Sequence, residues 1–354
     1  MSRWGAGPRN GAGLPRKLLV TGAAGFIGSH LVERLLEDGY EVWGLDNFDP
    51  AYSPAAKRAN LREVVRHPRM HMIEGDLRDT VLLDGLFGDR SFDAVLHLAA
   101  LSAPLSPLDD PQLCFQVNLL GTVNLLEAMR RRGVQRIVFT SDRSLSTRGG
   151  AEGDEAFAPS ERPATSFSAA KRSVELLCHV HHRTYRTSVH ILRLAAVYGP
   201  REGPDGPVHR IARRLTGQAD AAPDAIPAAD EEYLYVADAV EGLVSSLETL
   251  LEAPAESPVF EIVTLRGEQV VSAGELESRL AAALGIEPAE TARAKAAAGN
   301  GEGGAVRAAV RASQAVELLG FRPDVSLDEG LARFAEWFGR RGPSPASLSG
   351  SGAR

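Results

Sequence analysis

Apolar and polar positions change period in a regular way along this chain. Lys17 to Leu36, KLLVTGAAGFIGSHLVERLL, opens on a short apolar run, crosses a glycine-rich turn and continues with apolar residues at helical spacing. That pattern predicts a buried strand, a tight turn and an amphipathic helix. Glu41 to Leu45 reads as a second strand ending in Asp46, with a polar loop and a short helix after it. Arg69 to Ile73 alternates as a third strand, and a helix follows over Thr80 to Phe87. Phe92 to Leu98 is a fourth strand. Gln112 to Arg132 repeats apolar residues at helical spacing (Phe115, Leu119, Val123, Leu126, Met129), and Gly133 is placed to close that helix. Gln135 to Thr140, Ser168 to Arg186 and Ser188 to Leu194 add a strand, a long helix and a sixth strand. Alternating strands and helices predict an α/β fold with a doubly wound parallel sheet, and ligands sit beyond the carboxyl ends of such strands.

The pattern loosens from Val197-Tyr198-Gly199-Pro200 onward, and residues 201–232 are rich in Pro, Gly, Asp and Ala. A basic helical piece spans Pro207 to Thr216. Tyr233 to Val236 resumes as a strand, with Asp238 expected to cap a helix over Ala239 to Leu251. Val259 to Val263 predicts a strand, and Ser272 to Leu284 and Gln314 to Leu319 predict helices, the last closed by Gly320. Residues 286–305 are low in complexity. The expected organisation is a leader at 1–15, a nucleotide-binding domain at 16–199, a smaller α+β substrate lobe at 200–340 and a Pro/Ser/Gly-rich tail at 341–354.

Composition narrows the function classes. The chain has 354 residues, 44% of them hydrophobic, which is ample for a large core. A net charge of −7 leaves no basic footprint for nucleic acid. Cys114 and Cys178 are the two cysteines, so neither a disulfide framework nor a cysteine metal site is implied. His179, His181 and His182 lack a carboxylate to complete a metal site, and a polar helix face is expected there. No apolar run approaches a membrane span. The N-terminus has charge but no apolar signal core, so a cytoplasmic protein is expected.

The chemistry starts at Gly22, Gly25 and Gly28. Gly22 lets the chain turn off the strand, Gly25 lets backbone approach a pyrophosphate, and Gly28 lets the helix pack on the sheet. The helix N-terminus presents unpaired N–H groups to phosphate. Asp46 lies 18 residues beyond Gly28, a spacing that suits a carboxylate binding the adenosine ribose. An acid there favours NAD, since a 2′-phosphate would meet like charge. The Walker lysine and hydroxyl are absent, which sets a P-loop aside. Together these features predict a Rossmann-type dinucleotide site. An aspartate after the third strand can read an adenine edge or cap the next helix, and the two are compatible. His97, inside an apolar strand, reads as a satisfied core histidine.

The segments TGAAGFIGSH, LDNF, EGDLRD, HLAA and Asn118 to Glu127, followed by LRLAAVYGP, YLYVADAVEG and LGFRPDVSLDEGL, occur in this order across residues 17–340. In this they resemble the extended short-chain dehydrogenase/reductase superfamily, and within it the NAD-dependent nucleotide-sugar epimerases and dehydratases. The resemblance implies that Phe26 and Ile27 line the pyrophosphate, Asp46 and Asn47 hold the ribose, and Asp76 and Leu77 meet the adenine. Ala99, Ala100 and Asn118 would flank the rest of the cofactor. It also implies a sugar-derived substrate and a homodimer through the helices at 112–132 and 168–186.

The resemblance breaks where the chemistry lies. The family carries Tyr-x-x-x-Lys, in which the lysine holds the nicotinamide ribose and the tyrosine moves a proton. Here the five residues read Phe167-Ser168-Ala169-Ala170-Lys171, so the lysine is kept and the tyrosine hydroxyl is gone. The family's Ser/Thr after the fifth strand falls on Asp142, with Ser141 and Ser144 as alternatives by register. Asp142 is a candidate base beside Lys171, or a solvated or capping residue beside Arg143. Tyr198 is the one tyrosine placed near the crevice mouth, and packing is its simpler role. In the substrate lobe, Ala196 replaces an asparagine, Glu231-Glu232 replaces Arg-Asp, and Gly303-Gly304-Ala305 replaces a charged turn. Two functions follow: an NAD-dependent enzyme with an altered acid–base set, or an NAD-binding protein serving as sensor or partner subunit.

Overall fold

The computed structural model describes residues 15–50, 53–88, 90–101, 110–142, 145, 163, 165–218, 231–286 and 314–340. Expectations for the leader, the tail, Ser144 and Gly303 to Ala305 lie outside them. The first compact unit comprises Met1–Leu194, Val240–Leu265 and Glu317–Phe321. Its described strands are β1 (Lys17–Thr21), β2 (Glu41–Asp46), β3 (Met70–Glu74), β4 (Ala94–His97), β5 (Arg136–Asp142), β6 (Ser188–Leu194) and a strand at Phe260–Leu265. All neighbours pair in parallel, in the order β3, β2, β1, β4, β5, β6 and then Phe260–Leu265. The order reverses between β1 and β4, which opens a crevice at their carboxyl ends.

Helices connect these strands: α1 (Phe26–Glu37), α2 (Pro54–Asn60), α3 (Thr80–Gly88), α4 (Pro111–Phe115), α5 (Gly121–Arg131) and α6 (Ser166–Tyr185). Near-continuous apolar strands are what a sheet covered on both faces requires. Leu18, Leu19, Val20, Val95, Leu96, Ile137, Val138 and Ile191 are all fully buried. The uninterrupted helix expected over Gln112 to Arg132 is instead two α-helices joined by a π-helical stretch at Gln116–Leu120. Gly133, at φ 71°, closes it as expected.

The second unit comprises Ala195–Ala239, Arg266–Val316 and Arg322–Arg354. It holds β7 (Ala196–Tyr198), α7 (Pro207–Leu215) and β8 (Glu231–Tyr235). From there α8 (Val236–Glu252) leads the chain back to the first unit, where Phe260–Leu265 is β9. The chain then adds β10 (Val270–Val271), α9 (Ala273–Ala283), a helical turn at 314–319 and α10 (Leu327–Gly339). A small sheet runs β10, β8, β7.

Two differences from the sequence reading stand out. A division at 199/200 does not follow the compact units, because β9 pairs with β6 from Val189–Phe260 to Leu194–Leu265. Parallel pairing joins strands distant in sequence, so a composition shift does not mark where the sheet ends. The second concerns Asp238, which is not a cap. The helix starts at Val236, and the Asp238 carboxylate accepts from the backbone N–H groups of Asp324 (3.1 Å) and Val325 (3.2 Å). Burial raises its pKa to about 6.

Candidate functional site

The glycine turn is a cradle built of backbone. Gly22 has φ 72°, and a Cβ there would lie 2.8 Å from the amide nitrogen of Ala99. A Cβ on Gly28 would lie 2.0 Å from the carbonyl oxygen of Gly22. Side chains at these positions would fill the space between the turn, the end of β4 and the first turn of α1. Gly25 precedes α1 without a side-chain cap, and no acidic residue stands in the first turn. The N–H groups at the Phe26-Ile27-Gly28 end therefore favour an anion. Asp46 is buried, and its oxygens accept from Ala24 N (3.0 Å) and Phe48 N (2.8 Å). Its carboxylate is thus fixed against the glycine turn with acceptor capacity in reserve. Phe48 adopts φ 50°, an unusual conformation for a non-glycine residue, held by that bond to Asp46.

The two readings of the aspartates after β3 separate. Asp79 caps α3, accepting from Val81 N and Leu82 N at 3.0 Å. Asp76 instead accepts from the Arg78 side chain (2.9 and 2.8 Å), Arg78 N (2.9 Å) and Asn47 Nδ2 (3.0 Å). The Arg78 guanidinium holds its carboxyl well below the usual range. These bonds use the four lone-pair positions of a carboxylate, so an adenine amino group would have to displace one donor. Leu77 is buried, and Asn124 Nδ2 donates to its carbonyl at 3.1 Å.

At the end of β4, His97 is fully buried between two hydroxyls, Thr21 Oγ1 at Nδ1 (2.7 Å) and Thr122 Oγ1 at Nε2 (2.8 Å). Thr122 gives its own proton to the Asn118 carbonyl (2.7 Å), so it must accept from Nε2–H, which fixes the neutral tautomer. Burial, reinforced by the Lys171 charge, pushes the imidazole pKa down to about 3. The structural reading of this histidine stands. Asn118 lies in the π-helical stretch. Its amide accepts from Leu101 N (2.7 Å) and donates to Leu101 O (3.0 Å), pinning the chain just beyond Ala99 and Ala100. The π turn is thus a positioning device that periodicity did not reveal.

The β5–α6 edge carries the altered residues. Lys171 is buried, and its Nζ donates to the Thr140 carbonyl at 2.9 Å. It lies 4.7 Å from the centre of the Phe139 ring and 5.6 Å from that of Phe167. Burial lowers its pKa to about 8, opposed first by the Asp142 carboxylate. Ser168 Oγ donates to Asp142 Oδ2 (2.9 Å) and lies 3.0 Å from Thr165 Oγ1, the N-cap of α6. Ser141 is committed elsewhere, for its hydroxyl donates to Glu175 Oε1 at 2.7 Å. Glu175 is fully buried and takes two bonds from Arg193 (2.9 and 2.7 Å) and one from Arg172 (3.1 Å). This network was not foreseen, since its members lie far apart in sequence. Of the described candidates, Asp142 is the one bonded to Ser168, the residue that follows Phe167 on α6.

In the second unit Tyr198 is buried, donates to the Leu327 carbonyl (3.2 Å), and has its pKa pushed far up by burial, which makes it a packing residue. Glu232 is paired with Arg266 at 2.6 Å. Among the described residues no group of three His, Cys, Asp or Glu side chains could hold a metal, and no helix is long and apolar enough to cross a membrane.

Comparison with known proteins agrees with this geometry. The profile of the NAD dependent epimerase/dehydratase family matches residues 18–274. UDP-glucuronate 4-epimerase 5 of Arabidopsis thaliana is 31% identical over 350 residues, 95% of this chain and 78% of that protein. A tyrosine-to-phenylalanine variant of UDP-glucuronic acid 4-epimerase from Bacillus cereus has been solved with NAD and UDP-4-deoxy-4-fluoro-glucuronic acid. It is 27% identical, with a TM-score of 0.74 and coverage of 92% of this chain and 99% of that one. The dTDP-glucose 4,6-dehydratase DesIV of Streptomyces venezuelae, solved with NAD, is 28% identical with a TM-score of 0.73, over 92% and 97% of the two chains.

Proposed function

The chain belongs to the NAD-dependent epimerase/dehydratase family, and on that premise we propose that it acts on a hydroxyl-bearing carbon of a nucleotide-linked sugar, with Asp142 taking the place of the family's tyrosine. The glycine cradle, the uncapped start of α1 and the fixed Asp46 carboxylate suit NAD. In this reading Gly22, Gly25, Phe26, Ile27 and Gly28 receive the pyrophosphate, and Asp46 and Asn47 the adenosine ribose. Asp76 and Leu77 border the adenine, and Ala99, Ala100 and Asn118 border the remainder. Lys171 holds the nicotinamide ribose. Bound NAD supplies the hydride acceptor and donor.

The observation that carries the proposal is a carboxylate, Asp142, bonded to Ser168, the residue next to Phe167. Phe167 has no exchangeable proton. Asp142 has a carboxylate, oriented by Ser168 and close enough to Lys171 to oppose the lowering of its pKa. The carboxylate accepts the proton of the substrate hydroxyl at Oδ1 or Oδ2, and returns it after hydride has moved. Relatives named as UDP-glucuronate 4-epimerases make UDP-sugars the first substrates to test. A homodimer belongs to the same reading, supported by the exposed Leu120, Leu176, Val180 and Tyr185 on the π stretch and α6. So does a cytoplasmic location.

Phe167 also favours a second reading, an NAD-binding protein without turnover. One experiment separates them. The full chain is titrated with NAD and given UDP-, dTDP- and GDP-sugars and free polyols, with reduced nicotinamide and product mass recorded. Turnover that disappears in Asp142→Ala supports the enzyme. NAD binding without turnover on any of these, even in Phe167→Tyr, supports the second reading, and failure to bind NAD overturns both.

A further inference from the structure

The backbone just beyond β4 is held at both ends. Ala99 N donates to Thr21 Oγ1 (3.2 Å), and the Asn118 side chain takes both the N–H (2.7 Å) and the carbonyl (3.0 Å) of Leu101. These two holds come from different elements, the end of β1 and the π-helical stretch, and His97 joins them. Its Nδ1 lies 2.7 Å from Thr21 Oγ1, its Nε2 lies 2.8 Å from Thr122 Oγ1, and Thr122 donates to the Asn118 carbonyl at 2.7 Å. Because Thr122 gives its proton away, every link has one direction. Ala99 N–H donates to Thr21, Thr21 O–H to Nδ1, Nε2–H to Thr122, and Thr122 O–H to Asn118. We propose that His97 is a positioning residue for the cofactor: its two nitrogens tie the Ala99 anchor to the Asn118 clamp, so that Ala99 to Leu101 stands as one fixed wall of the NAD site. This duty deepens the functional reading and rests on its placement of NAD against Ala99 and Ala100.

The wall borders the cradle directly. A Cβ on Gly22 would lie 2.8 Å from Ala99 N and 2.9 Å from Ala99 Cα, so no side chain separates the two backbones. A displacement of Ala99 therefore changes the space above the glycine turn. β4 ends at His97, so the strand ladder does not reach this segment and side chains take over from it. The relay is buried throughout: Thr21, His97, Thr122 and Asn118 are each at most 3% exposed, which leaves no water to stand in for a lost partner. The imidazole is itself fixed. It stacks on Phe139 at 5.5 Å, and Thr140 Oγ1 donates to the His97 carbonyl at 3.3 Å. Burial holds the ring neutral down to about pH 3, so the direction of the relay does not change above that. The amide hydrogens of Asn118 are engaged by Leu101 O and by Cys114 Sγ (3.3 Å), so this residue serves the site through the backbone it holds.

The test needs no substrate and separates hydrogen bonding from packing. In the full chain, Thr122→Val keeps the shape and removes the hydroxyl, whereas Thr122→Ser keeps the hydroxyl. NAD affinity is measured at neutral pH, and the imidazole nitrogen shifts and the exchange of the Leu101 amide are followed by NMR without NAD. Wild type should carry its proton on Nε2. In Thr122→Val the proton should move to Nδ1, where Thr21 can accept it, and Leu101 should exchange about tenfold faster relative to Val95 within β4. NAD binding should weaken about tenfold, and Thr122→Ser should return it to within about threefold of wild type. If Thr122→Val does not fold, Thr122→Ala takes its place. Unchanged NAD affinity in Thr122→Val overturns the proposal, as does a wild-type ring protonated at Nδ1. Equal losses in Thr122→Val and Thr122→Ser also overturn it, since they assign the effect to packing. Failure of the wild type to bind NAD is a separate result, which overturns the functional reading and the cofactor role of the relay with it.

Discussion

The turn between β1 and α1 and the edge between β5 and α6 face the same crevice chemistry, yet they are built from different material. The first is backbone: a glycine at φ 72°, a second that lies against its carbonyl, and a helix end without a cap. The second is side chain: Lys171, Asp142, Ser168 and Phe167 above the buried Ser141–Glu175–Arg193 network. A backbone cradle admits few substitutions, so its residues stay within the family pattern. A side-chain edge can trade a phenol for a carboxylate without disturbing the sheet beneath it. The parts that suit NAD and the parts proposed for proton transfer are thus built separately in this fold.

The contrast can be broken first from below. Glu175→Gln removes the buried carboxylate that accepts from Arg193, Arg172 and Ser141 and should cost about 3–5 kcal/mol of stability, measured by urea unfolding. A loss under about 1 kcal/mol would show that the edge does not depend on this network. The cradle comes next. Gly28→Ala places a methyl within 2.0 Å of the Gly22 carbonyl and should cost roughly 1–3 kcal/mol while abolishing measurable NAD binding. The same change at Gly133, where a Cβ meets nothing within 4 Å but φ is positive, should leave NAD binding intact.

The first strands, the glycine turn and Asp46 were legible because each obeys a short local rule: an apolar run, a glycine at a sharp turn, an acid at a strand end. The helix read over Ser272 to Leu284 was legible by its apolar spacing, and its Ser272 cap came from the structure. Features that depend on distant partners were not. Asp238 satisfies two N–H groups 86 and 87 residues away, and Ser141 a carboxylate 34 residues away, and no window of sequence holds both ends. The strand of β9 was read at Val259 to Val263, but its pairing with β6 was not, since a parallel strand carries no mark of the strand it will join. The π turn at Asn118 shares the apolar spacing of the helices that flank it. Phe167 and Lys171 were legible in kind, whereas our preference for Asp142 over Ser141 draws on the bonds each makes, to Ser168 and to Glu175, and Ser144 lies outside the described residues.

His97 sharpens the comparison with a pH effect confined to the first unit. Its pKa is lowered on folding, so its contribution is complete above the unfolded value near 6.5 and is lost as pH falls through that value toward about 3. Between pH 7 and pH 4 the loss should be on the order of 3 kcal/mol, and His97→Gln should remove this component of the acid profile. Glu202, in the second unit, has the opposite sign. Burial raises it to about 8, so its contribution is present below 4.5 and is lost as pH rises through about 8. A Glu202→Gln variant should therefore flatten the profile between about pH 4.5 and pH 8. The smallest effect is expected from Phe167→Tyr, which restores a hydroxyl one turn from Lys171. NAD affinity should change by less than about threefold, because the cradle and Asp46 are untouched.

The central claim is that the proton in this active site is moved by Asp142. It is tested most directly by single-turnover rates on whichever UDP-sugar the wild type converts, compared between wild type and Asp142→Asn at pH 6 with NAD saturating in both. Under those conditions Lys171 remains charged, so the comparison isolates the carboxylate. The account predicts a loss of about 100-fold or more in the chemical step with bound NAD unchanged. A variant that turns over at the wild-type rate would contradict it.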